Sequence, residues 1–187
     1  MDRLMDFLHT IYPMSDGLQE HLQRILKLQR LAKNDYLLKV GQVSDKVYFV
    51  ESGLVRCYYL KNKREICSSF MKEGDVTFSV ESFYTQTPSH EAIQAIEDTT
   101  VYYITYTILQ RIYREFPEFN FTGRVLTEHY YTLSEQRIRA LWMQKSTERY
   151  DYLIAHEPEL VKRVPVKYLA SYLGLNGNYL STIKSKI

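Results

Sequence analysis

The chain has 187 residues, of which 45% are hydrophobic and 25% are charged, and its formal net charge is +2. This is an ordinary globular composition, with room for one large domain or for one medium and one small domain. The two cysteines exclude a disulfide framework and a four-cysteine iron–sulfur site. No apolar run reaches the roughly 18 residues of a transmembrane helix, so we expect a cytoplasmic protein without membrane association.

The N-terminal part is predicted to be helical up to about residue 30. Ser15-Asp16 is a plausible helix cap, because short polar side chains accept bonds from the first backbone amides of a helix. The apolar residues after this cap recur at helical spacing and are Leu18, Leu22, Ile25, Leu26 and Leu28.

From Asp35 the pattern changes to short strands separated by turn residues such as Gly41, Gly53 and Gly74. The predicted strands cover 36–38, 47–50, 54–60, 66–71, 92–96 and 100–104. Many short strands without long helices between them are typical of an antiparallel sandwich or a jelly-roll barrel. We expect the jelly-roll barrel, within an α+β protein.

A hairpin centred on Asn62 would place Cys57 opposite Cys67. Such a pair is either a redox-sensitive dithiol or two reduced, half-buried thiols. We favour the reduced thiols, because one inserted residue would shift the strand register and separate the cysteines.

Helical spacing returns after the strands. Tyr106–Glu115 is predicted to be a short helix, and Phe116-Pro117 marks a new start because the residue before a proline avoids helical geometry. A long helix is predicted from 118 to about 145. Its apolar stripe has coiled-coil-like intervals and consists of Leu126, Tyr130, Leu133, Ile138 and Leu141. We expect this stripe to form a homodimer interface, and the alternative is packing on the strands of the same chain.

A further short helix from Arg149 ends near Pro158 and leads into two C-terminal helices. Pro165 suits the first position of the first helix, Gly174 can end that helix in the left-handed conformation, and Asn176 can cap the next one. The inward positions of the two helices are predicted to be Val166, Leu169, Ala170, Leu173, Leu180, Ile183 and Ile187. The sequence therefore predicts a helix-turn-helix.

The C-terminal segment is also strongly basic. From Leu160 to the end there are five basic residues and no acidic one, so the segment carries +5 and the rest of the chain −3. Such asymmetry is expected of a surface that binds DNA phosphates. The alternative is a helical hairpin that packs on the body of the protein with its basic residues in solvent.

Three segments carry a family resemblance, namely 41–56, the Glu-Gly-Asp-Val at 73–76, and 166–184. In this order they resemble the CRP/FNR family of bacterial transcription regulators, and the resemblance covers nearly the whole chain. It is closest to the sub-branch without a β-wing before the helix-turn-helix. The resemblance implies N-terminal helices and a sensor barrel at 1–116, a connecting and dimerisation helix at 117–145, and a helical DNA-binding domain with the helix-turn-helix at 146–187.

By the same resemblance, the protein is a homodimer that inserts two recognition helices into successive major grooves of double-stranded DNA. A small effector in the barrel would shift these helices, and RNA polymerase is a candidate partner. The residues expected to contact DNA are Lys167, Asn176, Gly177, Asn178, Tyr179, Ser181, Thr182, Lys184 and Lys186.

The resemblance also places an effector pocket at Phe78, Ser79, Val80, Glu81, Ser89 and His90. Family members that bind cyclic nucleotides hold the phosphate with a Gly-Glu-Leu segment and an Arg-Ser pair, which match 78–80 and Ser89-His90 here. The arginine is absent, and a buried phosphodiester beside Glu81 would lack a compensating charge. We therefore expect no cofactor and no binding of cAMP or cGMP in the usual manner, and the effector is another small molecule or none.

Two other classes of protein remain as alternatives. A cupin-like enzyme would hold a metal with a His-x-His and further ligands, but the sequence has no His-x-His and its five histidines lack metal-ligand spacing. We therefore expect no metal site and no catalytic residue. The other alternative is a dimeric small-molecule sensor or scaffold that does not read DNA.

Overall fold

The structure, a computed structural model, describes residues 1–184, and the side chains of Ser146, Tyr179 and residues 182–184 lie outside the description. The strands are β1 (Lys27–Leu31), β2 (Tyr36–Leu38), β3 (Lys46–Ser52), β4 (Val55–Lys61), β5 (Arg64–Met71), β6 (Val76–Thr77), β7 (Glu91–Ala95) and β8 (Thr99–Thr105). The helices are α1 (Asp2–Ile11), α2 (Asp16–Ile25), α3 (Val80–Thr85), α4 (Tyr106–Glu115), α5 (Phe119–Met143), α6 (Ser146–His156), α7 (Pro158–Arg163), α8 (Val166–Leu173) and α9 (Gly177–Lys184).

The strands form two four-stranded sheets. One sheet has the order β1-β8-β3-β6 and the other has the order β2-β7-β4-β5. The protein is therefore a β-sandwich with helices in which the described strands do not close into a barrel, and the predicted jelly-roll topology stays a prediction. The strands at two of the four sheet edges, β2 and β6, have only three and two residues. Strands this short offer few backbone groups through which pairing could continue from one sheet to the other.

Residues 27–31 form a strand, whereas the sequence predicted helix up to about residue 30. Leu28, counted among the helical positions, pairs with Tyr102 of β8 in an antiparallel ladder that spans all of β1. The ladder hydrogen-bonds the backbone of β1 to a strand that is distant in sequence. This tertiary pairing overrides the local helical preference of residues 27–31. The predicted cap is confirmed, because Ser15 Oγ accepts a bond from the Leu18 amide at 3.3 Å.

The chain divides into two compact units. The first consists of Met1–Cys57 and Phe70–His129, and the second of Tyr58–Ser69 and everything from Tyr130 onward. The second unit thus combines the turn and adjoining strand residues of the β4–β5 hairpin with the second half of α5 and the helices after it. The domain boundaries predicted at 116 and 145 stay predictions.

Two apolar clusters fill the first unit. One joins helices α1, α2 and α4 to strand β3 and includes Leu18 and Phe49, and the other joins strands of both sheets and includes Val50 and Ile93. Each of these four side chains is at most 4% exposed. Burial of one such side chain contributes about 1.5–3 kcal/mol, so both clusters stabilise this unit.

The long helix α5 agrees with its predicted extent of 118 to about 145. Gly123 near its start lets α4 approach closely, because a Cβ at this position would overlap the Tyr113 hydroxyl. Burial raises the pKa of Tyr113 to about 12.

The β4–β5 hairpin turns at Asn62 and Lys63, whose φ angles of 51° and 62° are both left-handed. A two-residue turn with two positive φ angles pairs the residues that flank it, and this register brings Tyr58 opposite Cys67. The predicted register had Cys57 opposite Cys67, and it is off by one residue because the turn is centred between Asn62 and Lys63. Both cysteines are buried and reduced.

Candidate nucleic-acid interface and effector pocket

The two C-terminal helices, α8 and α9, are joined by a short turn, and we call them the helix pair. Gly174 ends α8 with a φ of 68°, and the Leu175 amide donates to the Ala170 carbonyl at 2.8 Å. The Asn176 side chain accepts a bond from the Asn178 amide at 3.0 Å. The predicted stop at Gly174 and the predicted cap at Asn176 are thus confirmed. The turn is fixed by one left-handed glycine and one side-chain cap.

The helix pair buries one face and exposes the other. The buried positions Leu169, Ala170, Leu173 and Leu180 agree with the prediction. Of the residues expected to contact DNA, Lys167, Asn176, Asn178 and Ser181 are exposed and Gly177 is half-buried. The side chains of Tyr179, Thr182, Ile183 and Lys184 lie outside the description, and Lys186 and Ile187 lie outside the described residues.

Two arginines hold the C-terminal end of α8, and we call them the arginine clamp. Arg137 on α5 donates to the Tyr172 carbonyl at 2.6 Å, and its guanidinium lies 3.6 Å from the centre of the Tyr172 ring. Arg149 on α6 donates through Nε and Nη2 to the Leu173 carbonyl at 3.0 and 2.7 Å, and through Nη1 to the Gln144 carbonyl at 2.6 Å. Burial lowers the pKa of the Arg137 guanidinium.

The last carbonyls of a helix have no partner within the helix, so the clamp satisfies groups that would otherwise need water. Sequence reasoning missed it. Arg137 lies between two apolar positions of the stripe on α5, and no local pattern shows that its partner is a carbonyl 35 residues away.

Ser171 on α8 bonds to the edge of the β4–β5 hairpin. Its hydroxyl donates to the Glu65 carbonyl at 2.9 Å and accepts from the Cys67 amide at 3.0 Å. Strand β5 is at the edge of its sheet, so among the described strands none lies beside these backbone groups on that side. Ser171 thus replaces a strand partner and fixes the hairpin to α8.

Charge is distributed very unevenly between the two units. The second unit has 12 basic and 6 acidic residues, a net charge of +6, and the whole chain carries +2, so the first unit carries −4. Part of the positive charge is neutralised locally, since Lys162 lies 2.7 Å from Glu159. The two units have charges of the same sign as the +5 of residues 160–187 and the −3 of the rest of the chain. The difference between the units is larger, because the basic hairpin turn adds positive charge to the second unit.

The residues of the predicted effector pocket do not all come together. Ser79 and Ser89 are buried, and Ser89 Oγ donates to Ser79 Oγ at 2.9 Å. Phe78 is half-buried, whereas Val80, Glu81 and His90 are exposed. Ser44, which the sequence did not single out, joins the buried serines by accepting a bond from the Ser79 amide at 3.3 Å. The Ser79 and Ser89 hydroxyls thus bond to each other, whereas the Ser44 hydroxyl bonds to a backbone amide.

A separate cavity of about 290 Å³ lies beside strands β2 and β3 in the first unit. Its lining residues are Leu37, Leu38, Gln42, Val43, Ser44, Asp45, Lys46 and Tyr48. The Tyr48 hydroxyl donates to the Leu37 carbonyl at 3.2 Å, and burial together with Asp45 raises the pKa of Tyr48. Ser44 is the residue that this cavity shares with the buried serines.

The apolar stripe of α5 is largely uncovered in the single chain. Leu133, Ile138 and Leu141 are 44%, 37% and 40% exposed, whereas Leu126 and Tyr130 are half-buried. Trp142 beside the stripe is 81% exposed. Large apolar side chains in such a row lose contact with water when a partner covers them.

Within the described residues, no group of three His, Cys, Asp or Glu side chains is arranged to hold a metal ion. No helix in residues 1–184 is both long and apolar enough to cross a membrane.

The sequence matches the cyclic nucleotide-binding domain family over residues 28–116. The structure is similar to FixK2 from Bradyrhizobium japonicum, with a TM-score of 0.75 at 20% identity over 87% of this chain and 84% of that one. It is also similar to CLP from Xanthomonas campestris, with a TM-score of 0.73 at 16% identity over 92% of this chain and 91% of that one.

A third solved structure, of a CooA variant from Carboxydothermus hydrogenoformans, gives a TM-score of 0.69 at 23% identity over 94% of this chain and 79% of that one. No curated protein sequence matches at a significant level. The matched domain runs from β1 to the end of α4, and the solved structures extend the likeness to the C-terminal helices. Residues 28–116 therefore resemble the cyclic nucleotide-binding domain family, and the chain shares its fold with FixK2, CLP and CooA.

Proposed function

We propose that the protein is a DNA-binding transcription regulator of the CRP/FNR type that acts as a homodimer. The observation that carries the proposal is the helix pair, in which Gly174 ends α8 and the Asn176 side chain caps α9. The pair lies in a unit with a net charge of +6. The structural neighbours support it, since CLP is a c-di-GMP responsive global regulator. In this proposal the pair is a helix-turn-helix that places α9 in the major groove.

The exposed residues of the pair suit this role. Lys167 can hold a phosphate, and Asn178 can bond the edge of an adenine. Family members usually have Arg at the position of Thr182 and often Glu at that of Asn178, a pair that reads G·C. We therefore expect weaker and more A·T-leaning readout, and selection of sites from a random DNA pool tests this expectation. A strong G·C-centred motif would contradict it.

Electrophoretic mobility shift with genomic fragments tests DNA binding directly. The variants Lys167→Glu and Lys184→Glu should weaken the shift strongly, because each reverses a charge on the helix pair. Lys33→Glu makes the same change at an exposed position of the first unit and should leave the shift intact. If the wild type shifts no fragment, the protein is the alternative considered above, a dimeric sensor or scaffold.

The homodimer is proposed from the uncovered stripe on α5. Replacing Leu133, which is 44% exposed, by Glu should shift the protein from dimer to monomer in sedimentation velocity, because a charge would then enter an apolar interface. Gln136→Glu, at an exposed position of the same helix, is the matched control and should stay dimeric. A wild type that is monomeric at micromolar concentration would contradict this part of the proposal.

We further propose that cAMP and cGMP are not the effectors. The ionisable side chains among the six pocket residues are Glu81 and His90, and both are exposed. A phosphate in this place would have to break the bond between Ser79 and Ser89 without gaining a guanidinium in return. Isothermal titration calorimetry with cAMP and cGMP tests this, and micromolar binding of either would overturn it. The effector itself and any contact with RNA polymerase stay predictions.

A further inference from the structure

We propose that the turn of the β4–β5 hairpin is an additional DNA-binding element, in which Lys61, Lys63 and Arg64 contact phosphates next to the helix pair. This inference rests on the proposed DNA-binding function. The partner is the sugar–phosphate backbone of double-stranded DNA, which is recognised by charge and carries no sequence information.

The first observation is that the hairpin belongs to the same compact unit as the helix pair. Ser171 joins them, because its hydroxyl bonds both the Glu65 carbonyl and the Cys67 amide on the edge of β5. Two bonds to one strand edge fix the position and the direction of that strand relative to α8. The turn is therefore held beside α8.

The second observation is the charge of the turn. Lys61, Asn62, Lys63 and Arg64 are all exposed, and within residues 1–184 the structure shows no ion pair for the three cations. Lys63 has a φ of 62°, at a turn position where glycine is the favoured residue. A long cation in a left-handed position costs about 1–2 kcal/mol of backbone strain, and among the described residues no ion pair of the Lys63 ammonium offsets this cost.

The third observation is the short distance to the helix pair. Lys167 and Ser171 are four residues apart on α8, so they lie on the same face and about 6 Å apart along the axis. The turn is two to three residues from Glu65, which corresponds to about 7–10 Å along a strand. The cations of the turn and Lys167 therefore lie within roughly 20 Å of one another. A distance of this size spans a few successive phosphates of the DNA. In a helix-turn-helix the first helix, here α8 with Lys167, crosses the sugar–phosphate backbone of the DNA.

The test is a salt titration of DNA binding by the full-length protein. Fluorescence anisotropy with a labelled mixed-sequence duplex of about 40 base pairs gives the slope of log K against log salt, which falls by about 0.9 for each phosphate contact that is lost. The triple variant K61Q/K63Q/R64Q should lower the slope by about 2–3 per protomer. The matched control K27Q/R30Q/K33Q neutralises two lysines and one arginine at exposed positions of the first unit and should keep the wild-type slope.

Ser171→Ala keeps every charge and removes only the bonds between α8 and the hairpin. Ser171→Ala should show part of the decrease in salt slope expected of the triple variant, because the turn is no longer held in place. Its circular dichroism signal should stay that of the wild type. Wild-type slope and affinity in the triple variant would overturn the inference, and so would tighter binding, which would mean that the hairpin shields the helix pair. If the wild type itself binds no duplex, the proposed function fails and this inference fails with it.

Discussion

Replacing Arg149 by Met should loosen the C-terminal end of α8. Arg149 donates two bonds to the Leu173 carbonyl, at 3.0 and 2.7 Å, and one to the Gln144 carbonyl at 2.6 Å. A hydrogen bond to a charged group contributes about 1.5–3 kcal/mol net. Arg149 is half-buried and two of its bonds share one acceptor, so we count one bond per carbonyl at the lower value. Met keeps the length of the side chain, and the expected loss is about 3 kcal/mol.

Urea unfolding followed by circular dichroism measures this loss as a decrease in the free energy of unfolding. Arg149→Lys should fall between Met and the wild type, because an ammonium lacks the planar fork that reaches both carbonyls. Arg139→Met is the control, since Arg139 is an exposed arginine of the same unit. It should change stability by less than about 0.5 kcal/mol.

Measurements of DNA binding distinguish whether Arg149 holds α8 in place or contacts a DNA phosphate itself. The guanidinium of Arg149 is committed to carbonyls, so Arg149→Met should weaken binding while the slope of log K against log salt stays parallel to that of the wild type. A slope reduced by about 0.9 per protomer would refute the clamp and make Arg149 a phosphate contact. Wild-type stability of Arg149→Met would refute it as well.

Three further predictions concern backbone positions, and thermal unfolding checks each of them. Gly53→Ala should cost more than about 3 kcal/mol, because φ is 98° and a Cβ would lie 2.5 Å from its nearest neighbour. Gly41→Ala, at a φ of 85° in open space, should cost only about 1 kcal/mol, and equal losses at the two sites would contradict the packing argument. Gly174→Ala should destabilise by about 1 kcal/mol through its φ of 68°, whereas Gly177→Ala, inside α9 with nothing nearby, should stabilise by about 0.5 kcal/mol. Asn176→Ala should lose about 1 kcal/mol with its cap, and Asn176→Asp should restore it; a neutral Asn176→Ala would show that the cap does not contribute.

Local features of the fold were predictable from the sequence to within a residue or two. The cap at Ser15, the extent of α4, the stop at Gly174 and the cap at Asn176 all depend on neighbours within four residues. Their physical causes are a side-chain oxygen near the first amides of a helix and the steric freedom of glycine. All the residues that form such a cap or stop lie within a short stretch of the sequence, so the sequence alone reveals them.

Long-range features were not predictable in this way. Strand β1 was mistaken for helix, because its partner β8 lies about seventy residues further along the chain. The effector-pocket residues matched by position, yet only Ser79 and Ser89 are buried together, because the exposure of the others depends on how the whole segment from β6 to β7 folds. The choice between a sandwich and a closed barrel likewise depended on the lengths of the edge strands.

The sequence by itself determined the α+β class, the order of strands, long helix and helix pair, and the basic C-terminal part, because composition, spacing and charge are properties of the chain alone. Only the tertiary structure decided that Arg137 and Arg149 bind carbonyls, and that Ser171 joins the β4–β5 hairpin to α8. A side chain with several donors has the same sequence signature whether it bonds water, a phosphate or a carbonyl. Its role is fixed only by which acceptor the fold brings within about 3 Å.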